Sequence, residues 1–327
     1  FRGGWKCDYA VSGRVTFTPR VKLFFNMKLT YHKGQNVGDA INPMLFSHYL
    51  GAEMLNDSDA VCLLGVGSIL GLKRDVKGKK VVFSSGYGGS DYSGTYGERP
   101  LLDDDWEILA LRGPLTARDL GVEEASVPLL DGGYLITDVW PRDVESVSGR
   151  VGFIPHHRSL NFYEDWISLA KSSGLYMLDV RDEPEKFMRK LWSCEKVICE
   201  AMHGAIFADA YRIPWVPIRL YPHINEFKWK DWGESLNLSF TPHTAPEKLH
   251  GVNFLTELIS ERFSFPKAMA RLLSLVILEY RRFKVVRWLK RIKQINGGQS
   301  EEALLNGKKS ALIAQFEVLR TKYSGKV

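Results

Sequence analysis

The stretch Glu200–Ala205 (EAMHGA) decides how this chain folds, because a histidine follows an apolar segment and precedes a helical one. The residues before it, Lys196–Cys199, predict a strand, and Ile206–Tyr211 predict a helix that leads into a further strand at Trp215–Ile218. Strand, helix and strand in this order form the unit of a parallel α/β sheet. His203 is therefore expected at the carboxyl end of a strand, where open α/β sheets bind ligands.

His203 can give or take a proton near neutral pH, because the reference pKa of an imidazole is about 6.5. Gly204 follows it at the start of the predicted helix, where unpaired backbone N–H groups favour a bound anion. The same pattern fits a histidine that caps a helix or packs in the core. The local sequence leaves both interpretations of His203 open.

The unit of strand, turn and helix recurs along most of the chain. A polar segment at 138–149 fits a linker between two sets of such units. The sequence predicts an α/β fold in which two Rossmann-like domains, residues 1–137 and 150–245, face one another across a cleft. The other predicted strands are Val21–Phe25, Ala60–Leu64, Lys80–Ser84, Glu107–Leu111, Arg150–Ile154 and Leu175–Asp179.

The basic charge of the chain is concentrated near the end of the sequence. The 327 residues carry a formal net charge of +6, whereas the segment 267–294 alone holds nine basic residues against one acid, Glu279. The rest of the chain therefore lacks the basic footprint of a nucleic-acid-binding protein. One helix is predicted at about 266–294 and another at about 300–323, so that residues 266–327 form a basic helical extension.

The predicted helix at 267–294 also carries many apolar side chains, including Trp288. A basic amphipathic helix of this kind suits the surface of an anionic membrane. A helix that packs on the body and leaves its basic face in solvent fits the same residues. The absence of an apolar run of about twenty residues argues against a membrane-spanning helix.

The four cysteines are too few and too scattered for a disulfide framework, and the spacing of Cys194 and Cys199 does not match common zinc sites. They predict buried thiols in a reducing compartment. We therefore expect a cytoplasmic protein, peripheral to the membrane and without a metal site.

Two cationic turns follow predicted strands, one in each half. Arg112 stands directly before a Gly-Pro pair, so a restricted backbone can present its planar guanidinium to an anion; the alternative is a solvated or ion-paired arginine. His156, His157 and Arg158 form the second turn. Because adjacent histidines point in different directions, we expect one of them, together with Arg158, to face the cleft.

Glycine-rich turns can bring backbone N–H groups close to a phosphate or carboxylate. The turns Gly65–Ser68, which contains Gly67, and Gly86–Ser90 are of this type, but neither fits the dinucleotide or phosphate-loop fingerprint. Each is either a ligand-binding turn or a tight turn only. Asn36 and Asp39 can likewise line the cleft, and a helix-capping role for Asp39 is the alternative.

Taken together, these positions resemble the polysaccharide pyruvyl transferases, in particular the bacterial exopolysaccharide ketal-pyruvate transferases of the succinoglycan and xanthan type. The order and spacing of several short motifs carry the resemblance, which covers roughly residues 30–240. These motifs are Asn36–Asp39, Gly65–Ile69, Leu111–Thr116, Ile154–His156, Glu200–Pro214 and Glu226–Trp232.

The resemblance implies a GT-B-like pair of Rossmann halves that uses phosphoenolpyruvate to place a pyruvyl ketal on a sugar. It implies that Arg112, His203 and a downstream lysine bind phosphoenolpyruvate and assist its chemistry. The lysine maps to Lys228, although the spacing leaves Lys230 open.

One departure concerns a position two residues before the histidine. The cell-wall members have an arginine there, whereas this chain has Ala201, so another cation such as Arg158 would have to compensate. Phosphoenolpyruvate carries phosphate and carboxylate groups, and Arg112, Lys228 and Arg158 can supply the cations that it needs. We expect charged His203 to protonate the enol carbon, with no cofactor or metal required.

Two other functions fit the same sequence. A GT-B glycosyltransferase would use a nucleotide sugar instead of phosphoenolpyruvate. A non-catalytic, membrane-associated protein of polysaccharide assembly would use the basic helix as its working part. If the helix at 267–294 meets a membrane, the acceptor is expected to be a lipid-linked oligosaccharide on the cytoplasmic leaflet.

Overall fold

Two parallel β-sheets, one in each half of the chain, form the framework of the protein. The computed structural model describes residues 27–57, 60–72 and 78–323. The strands are β1 Met27–Thr30, β2 Val61–Leu64, β3 Lys79–Ser85, β4 Trp106–Leu111, β5 Val151–Ile154, β6 Tyr176–Met177, β7 Lys196–Cys199, β8 Trp215–Arg219 and β9 His243–Thr244. Sheet 1 has the order β1-β2-β3-β4, and sheet 2 has the order β6-β5-β7-β8-β9. The α/β class is therefore confirmed.

Helices connect these strands and extend beyond the second sheet. They are α1 Val37–Ala40, α2 Asn42–Leu50, α3 Ser93–Tyr96, α4 Pro114–Leu120, α5 Ile136–Val139, α6 Trp166–Ser172, α7 Pro184–Trp192, α8 Met202–Ala210, α9 Glu226–Ser235, α10 Val252–Phe263, α11 Lys267–Ile292 and α12 Glu302–Tyr323. Short 3₁₀ turns lie at Ala52–Met54, Ser90–Tyr92, Glu124–Ser126, Gly132–Leu135 and Ser159–Asn161.

Six of the predicted strands occur within one residue of their expected ends, namely β2, β3, β4, β5, β7 and β8. Their runs of buried apolar residues explain this, because central strands of parallel sheets are covered on both faces. The strand predicted at Leu175–Asp179 is reduced to β6, which lies at the edge of sheet 2. The strand predicted at Val21–Phe25 lies outside the described residues.

The two halves meet where several strands end. Arg112 follows β4 in sheet 1, while His156 follows β5 and Glu200 follows β7 in sheet 2. Helix α9 of the second half packs on α4 of the first half. The backbone N–H of Val37 donates to the carbonyl of Val180 over 2.8 Å. Side chains at the strand ends of both sheets are therefore brought close together.

The last helix returns to the first half of the chain. Phe316 of α12 stacks on Tyr49 with ring centroids 4.3 Å apart and lies 4.3 Å from the ring of Phe83 of β3. At the end of α12, the Tyr323 hydroxyl donates to Glu107 of β4 over 2.6 Å. Helix α12 thus closes the face of sheet 1.

Helix α11 has two different environments along its length. Its second part is packed on the body, with Val285, Leu289 and Ile292 buried, and Lys196 of β7 donates to the carbonyls of Lys293 and Ile295 over 2.8 Å. Its first part packs on α10, where the hydroxyls of Ser274 and Thr256 lie 3.3 Å apart. Among the described residues, no helix combines the length and apolar character that crossing a membrane requires.

Candidate active site

A narrow pocket, open to solvent on one side, lies where the two halves meet. Most of its wall comes from the second half of the chain, and Asn36 and Tyr96 come from the first half. Its polar lining includes Asn36, Tyr96, His156, His157, His203, Asn225 and Lys228.

His203 lies in the first turn of α8, with its side chain against the first turn of α1. A Cβ atom at Gly38 would lie only 1.9 Å from Nδ1 of the imidazole, so the ring occupies space that any larger residue would fill. On its other side the ring stacks on Phe207, with centroids 5.8 Å apart. His203 is 9% exposed and lines the pocket. Its side chain is therefore mostly buried, but a ligand in the pocket can still reach it.

Two buried carboxylates lie close to this imidazole. Oδ1 of Asp131 is 3.8 Å from Nε2 of His203, and Asp39 interacts electrostatically with the same ring. Within the part of the chain that the structure describes, Nε2 of His203 and Oδ2 of Asp131 have no hydrogen-bond partner. Buried polar atoms usually have a hydrogen-bond partner, so these two atoms can accept a hydrogen bond from, or donate one to, a molecule in the pocket.

Burial sets the protonation of this pair. It raises the pKa of Asp131 to about 6 and lowers the pKa of His203 to about 4, because both charged forms lose hydration. The pKa of Asp39 is also raised by burial. At pH 7 the expected state is an ionised Asp131 beside a neutral His203, so their 3.8 Å approach is not an ion pair at that pH. The sequence-based expectation of an already charged His203 is not what this environment favours.

Three more histidines gather beside the pocket. Nε2 of His223 lies 3.3 Å from Nδ1 of His156, and the rings of His156 and His157 are 4.2 Å apart. Burial, followed by neighbouring positive charge, lowers the pKa of His157 and of His223 to about 4 and that of His156 well below its usual value. These imidazoles are therefore neutral hydrogen-bonding groups that would gain protons as negative charge approaches.

The carboxylate of Glu200 holds the backbone next to this histidine group in place. Its carboxylate accepts hydrogen bonds from the backbone N–H groups of His156, Leu220 and Tyr221 and from the Ser159 hydroxyl, at 2.5 to 3.1 Å. Burial raises the pKa of Glu200 to about 7 despite these four bonds. Glu200 thus ties the turn after β5 to the end of β8.

Lys228 lies in the first turn of α9 and directs its ammonium to the pocket. Nζ of Lys228 is 3.4 Å from the Tyr96 hydroxyl and 4.8 Å from the centre of the Tyr96 ring. Within residues 27–57, 60–72 and 78–323, no carboxylate lies at ion-pair distance from it, although it interacts electrostatically with Asp39 and Asp131. Lys230, by contrast, is exposed and pairs with Glu226 over 3.5 Å. Of the two candidate lysines, only Lys228 lines the pocket.

Arg112 occupies a closed network that we call the arginine cluster, formed by Arg112, Asp231, Thr116, Ser68 and Tyr87. The guanidinium donates to Asp231 Oδ2 over 2.7 Å, to Ser68 Oγ over 2.5 Å and to the Tyr87 carbonyl over 2.7 Å. Thr116 donates twice more to Asp231. Arg112 is 0% exposed and does not line the pocket. The ion-paired alternative describes it, and direct contact with a substrate stays a prediction.

The remaining predicted residues divide between the pocket and its surroundings. Asn36 lines the pocket and caps α1, since its side chain accepts from the N–H of Gly38; the cap is therefore Asn36 and not Asp39. Gly67, with a φ of 135°, lies against Asp39. Arg158 is exposed and does not line the pocket.

Ser68 and Gly204 have structural surroundings. The Ser68 hydroxyl accepts from Arg112. A Cβ atom at Gly204 would lie 2.8 Å from Ile154, so this glycine lets α8 pack closely on β5. Their predicted contact with a ligand has no support in the pocket lining.

Sequence reasoning gave no role to Asp131, Tyr96 and His223. Gly38 and Asp231 lie inside the motifs Asn36–Asp39 and Glu226–Trp232, but neither was singled out as a site residue. For Asp131 a signal existed, because the apolar pair Leu129-Leu130 precedes it and Gly132-Gly133 follows, which is the strand-end pattern used elsewhere. Leu129 indeed forms a parallel bridge with Leu111 of β4. Asp231 is 119 residues from Arg112, and no local pattern announces a pairing at that separation.

The described residues contain no group of three or more His, Cys, Asp or Glu side chains arranged to hold a metal ion.

Proteins that are similar to this chain indicate its family. The succinoglycan biosynthesis protein ExoV of Rhizobium meliloti (strain 1021) is 32% identical over 227 residues, which cover 67% of this chain and 68% of ExoV. The crystal structure of an uncharacterized protein from Klebsiella pneumoniae is similar at 14% identity, over 67% of this chain and 94% of that chain; its TM-score of 0.38 is too low to assign the fold.

A family model described as polysaccharide pyruvyl transferase matches residues 12–220. The match includes Arg112, Asp131 and His203 and ends shortly before Lys228. It spans well over half of the chain and agrees with the similarity to ExoV. The chain belongs to the polysaccharide pyruvyl transferase family.

Proposed function

We propose that this protein transfers the pyruvyl group of phosphoenolpyruvate to a sugar of an exopolysaccharide precursor, forms a pyruvyl ketal and releases phosphate. The observation that carries the proposal is the convergence of Lys228, His156, His157 and His203 on one small pocket, next to Asp131, whose Oδ2 has no hydrogen-bond partner among the described residues. Family membership and the similarity to a succinoglycan biosynthesis protein favour this reaction over the nucleotide-sugar and scaffold alternatives.

Charge balance makes the pocket suitable for a small anionic enol ester. Phosphoenolpyruvate brings a phosphate and a carboxylate, and Lys228 offers a cation with no carboxylate at ion-pair distance in the described residues. Neutral His156 and His157 can donate hydrogen bonds and gain protons when the anion arrives, because opposite charge raises an imidazole pKa. In this scheme Lys228, not Lys230, is the functional lysine.

His203 is proposed as the proton donor. A bound dianion or trianion raises the pKa of His203 from about 4, so that the ring becomes protonated in the complex. Nδ1 faces the backbone at Gly38, which leaves Nε2 as the nitrogen that exchanges the proton. Asp131, ionised and 3.8 Å from Nε2, stabilises the imidazolium.

The reaction then proceeds through cationic carbon centres. Nε2 transfers its proton to C3 of the enol, which becomes a methyl group, and C2 becomes oxocarbenium-like. One sugar hydroxyl adds to C2 and loses its proton to the emptied Nε2. The C2–O bond to phosphate breaks, a neighbouring hydroxyl adds to C2 and closes the ketal ring, and its proton leaves with the phosphate. General acid–base help of this kind contributes about 10² to 10⁴ in rate.

Arg112 is proposed as a positioning residue. Its partner Asp231 follows Lys228 by one helical turn on α9, so the arginine cluster holds the helix that presents Lys228 to the pocket. We further propose that sheets 1 and 2 belong to two Rossmann-like domains, 1–137 and 150–245, with a GT-B-like cleft between them. The position of the pocket between the two halves supports this arrangement.

The test is a reaction with defined components. Purified protein is incubated with phosphoenolpyruvate and candidate oligosaccharide acceptors, and the acceptor mass and the released phosphate are measured together. We expect one pyruvyl ketal per phosphate released, and a rate of product formation about 10² to 10⁴ lower with His203→Ala. Product formation from a nucleotide sugar, with none from phosphoenolpyruvate, would contradict it.

A further inference from the structure

Helices α10 and α11 form an antiparallel pair, here called the hairpin, that extends from the second half of the chain. The seam between the two helices is made of small and aliphatic residues. Leu255 and Ile259 of α10, and Ala270 and Leu278 of α11, are buried there. The hydroxyls of Thr256 and Ser274 meet across the seam at 3.3 Å. The apolar side chains on the inner faces of the two helices are therefore buried against each other.

The outer face of α11 is apolar and exposed. Met269, Leu272, Val276, Tyr280 and Phe283 recur every three or four residues, which places them on one stripe opposite the seam. Leu272 and Val276 are each 67% exposed, and Phe283 is 61% exposed. Phe254, Leu258 and Phe263 of α10 are exposed as well. A row of exposed apolar side chains such as that of α11 is typical of a protein or membrane contact.

The charge pattern selects the membrane. The same stripe continues after Phe283 with Arg287, Lys290 and Arg291, so it changes from apolar to basic along the helix. In the segment 267–294, nine basic residues stand against Glu279 alone. A like-charged copy of this face would repel it, whereas an anionic headgroup layer beside a hydrocarbon layer complements both parts of the stripe.

We propose that the hairpin binds the surface of an anionic lipid bilayer, with its apolar stripe between the headgroups and Arg287, Lys290 and Arg291 on the phosphates. The hairpin lies on the bilayer and does not cross it, in keeping with the absence of a spanning helix among the described residues. The inner face of the second part of α11 is packed on the body of the protein. The exposed apolar side chains lie within residues 254–283, so the proposed contact with the hydrocarbon layer is limited to that segment.

The base of the hairpin adjoins the pocket. The N–H of Gly251, just before α10, donates to the Phe162 carbonyl over 2.9 Å. The Phe162 ring lies 5.7 Å from the ring of His223, which contacts His156 of the pocket wall. If the proposed transferase activity is correct, a bilayer-bound hairpin holds the pocket next to acceptors that are attached to lipid.

Vesicle flotation of the full chain tests the proposal. The probes are phosphatidylcholine vesicles with and without about one third phosphatidylglycerol, near physiological ionic strength. We expect flotation with the anionic vesicles only. Leu272→Ser/Val276→Ser/Phe283→Ser should reduce the bound fraction at least about tenfold, and Arg287→Gln/Lys290→Gln/Arg291→Gln should do so by a similar factor.

Leu101→Ser/Val147→Ser/Val318→Ser is the matched control, since it removes three exposed apolar side chains elsewhere and should float like the parent chain. Phosphate release with a soluble acceptor should be unchanged in the α11 variants, which separates this proposal from the transferase proposal. Equal flotation with and without anionic lipid, or unchanged flotation of both α11 variants, would overturn the membrane-binding proposal. So would a stable dimer that the serine variant converts to monomer, because a second copy then covers the face.

Discussion

The arginine cluster and the pocket around His203 contain similar side chains, yet they differ in how completely these are satisfied. Arg112 and Asp231 are fully buried, and their polar atoms are taken up by protein partners on both sides. His203 and Asp131 are buried too, but Nε2 and Oδ2 have no partner in the described chain. A closed network holds structure, whereas partnerless buried groups beside a pocket are available for chemistry. We therefore expect the first region to contribute mainly to stability and the second mainly to turnover.

The largest effect is expected at His203. His203→Ala should lower the rate of phosphate release from phosphoenolpyruvate by about 10² to 10⁴, because the proposed general acid is lost. Its free energy of unfolding should fall by less than that of an Arg112 variant. His48→Gln, at an exposed histidine of α2, is the control and should leave both quantities unchanged. Near-normal turnover of His203→Ala would remove this residue from the mechanism.

The next largest effect is expected at Arg112, and it concerns stability. Arg112→Met leaves Asp231 charged, buried and without its partner, which should lower the free energy of unfolding by about 3–5 kcal/mol. Urea unfolding followed by tryptophan fluorescence measures it. Asp231→Asn added to Arg112→Met should recover part of the loss, because the uncompensated charge is removed. A stable, fully folded Arg112→Met protein would show that the cluster does not hold the two halves together.

Substitutions at Gly38 and Gly86 should disturb the two regions one at a time. Gly38→Ala would place Cβ 1.9 Å from His203 Nδ1, and Gly86→Ala would place Cβ 2.2 Å from Arg112 Cζ. Displacing the imidazole should cost about 10² in turnover, whereas displacing the guanidinium should mainly destabilise the fold. Steady-state rates and unfolding curves of both variants check this.

The Gly38 effect has an internal control. In a His203→Ala background the imidazole is gone and its space is open, so Gly38→Ala should cause little further loss of turnover. Strictly additive losses would mean that Gly38 acts through something other than the position of the ring.

The smallest effect is a pH dependence of stability that comes from Asp131. Burial raises the pKa of this carboxyl from 3.8 to about 6, so between these values the folded state holds a proton that the unfolded state has released. Stability is therefore lost as the pH rises through this window and is constant above it. Asp131→Asn cannot titrate, so between pH 4.5 and 7 the wild type should lose about 2 kcal/mol relative to the variant. Parallel curves for the two proteins, from urea unfolding at both pH values, would contradict the unsatisfied state of Asp131.

The sequence predicts the sheets well because their strands are short, local and apolar. The ends of β7 are predicted to the residue, and those of the other central strands within one residue. Edge strand β6 is shorter than its apolar run, since only one neighbour fixes its length. The return of α12 to sheet 1 depends on Phe316 meeting β3, a contact between distant parts of the chain that no local periodicity encodes.

The site is predicted only in part for the same reason. His203, Lys228, His156 and His157 stand next to strand ends or in motifs, and they line the pocket together. Arg112 also stands at a strand end, but its partner Asp231 is 119 residues away, so its burial in an ion pair could not be read from neighbouring residues. That a residue lies at a strand end can be predicted from its neighbours in the sequence. Whether its side chain is free to bind a ligand depends on hydrogen-bond and ion-pair partners from the whole chain.

In the proposed reaction, phosphoenolpyruvate binds at the open pocket through Lys228. Calorimetric titration of the purified chain with phosphoenolpyruvate tests it most directly, with Lys228→Met compared with Lys230→Met. The account predicts that Lys230→Met binds like the parent chain, because Lys230 is exposed and pairs with Glu226, while Lys228→Met loses at least about tenfold in affinity. Equal affinity of the two variants, or stronger loss in Lys230→Met, would contradict it.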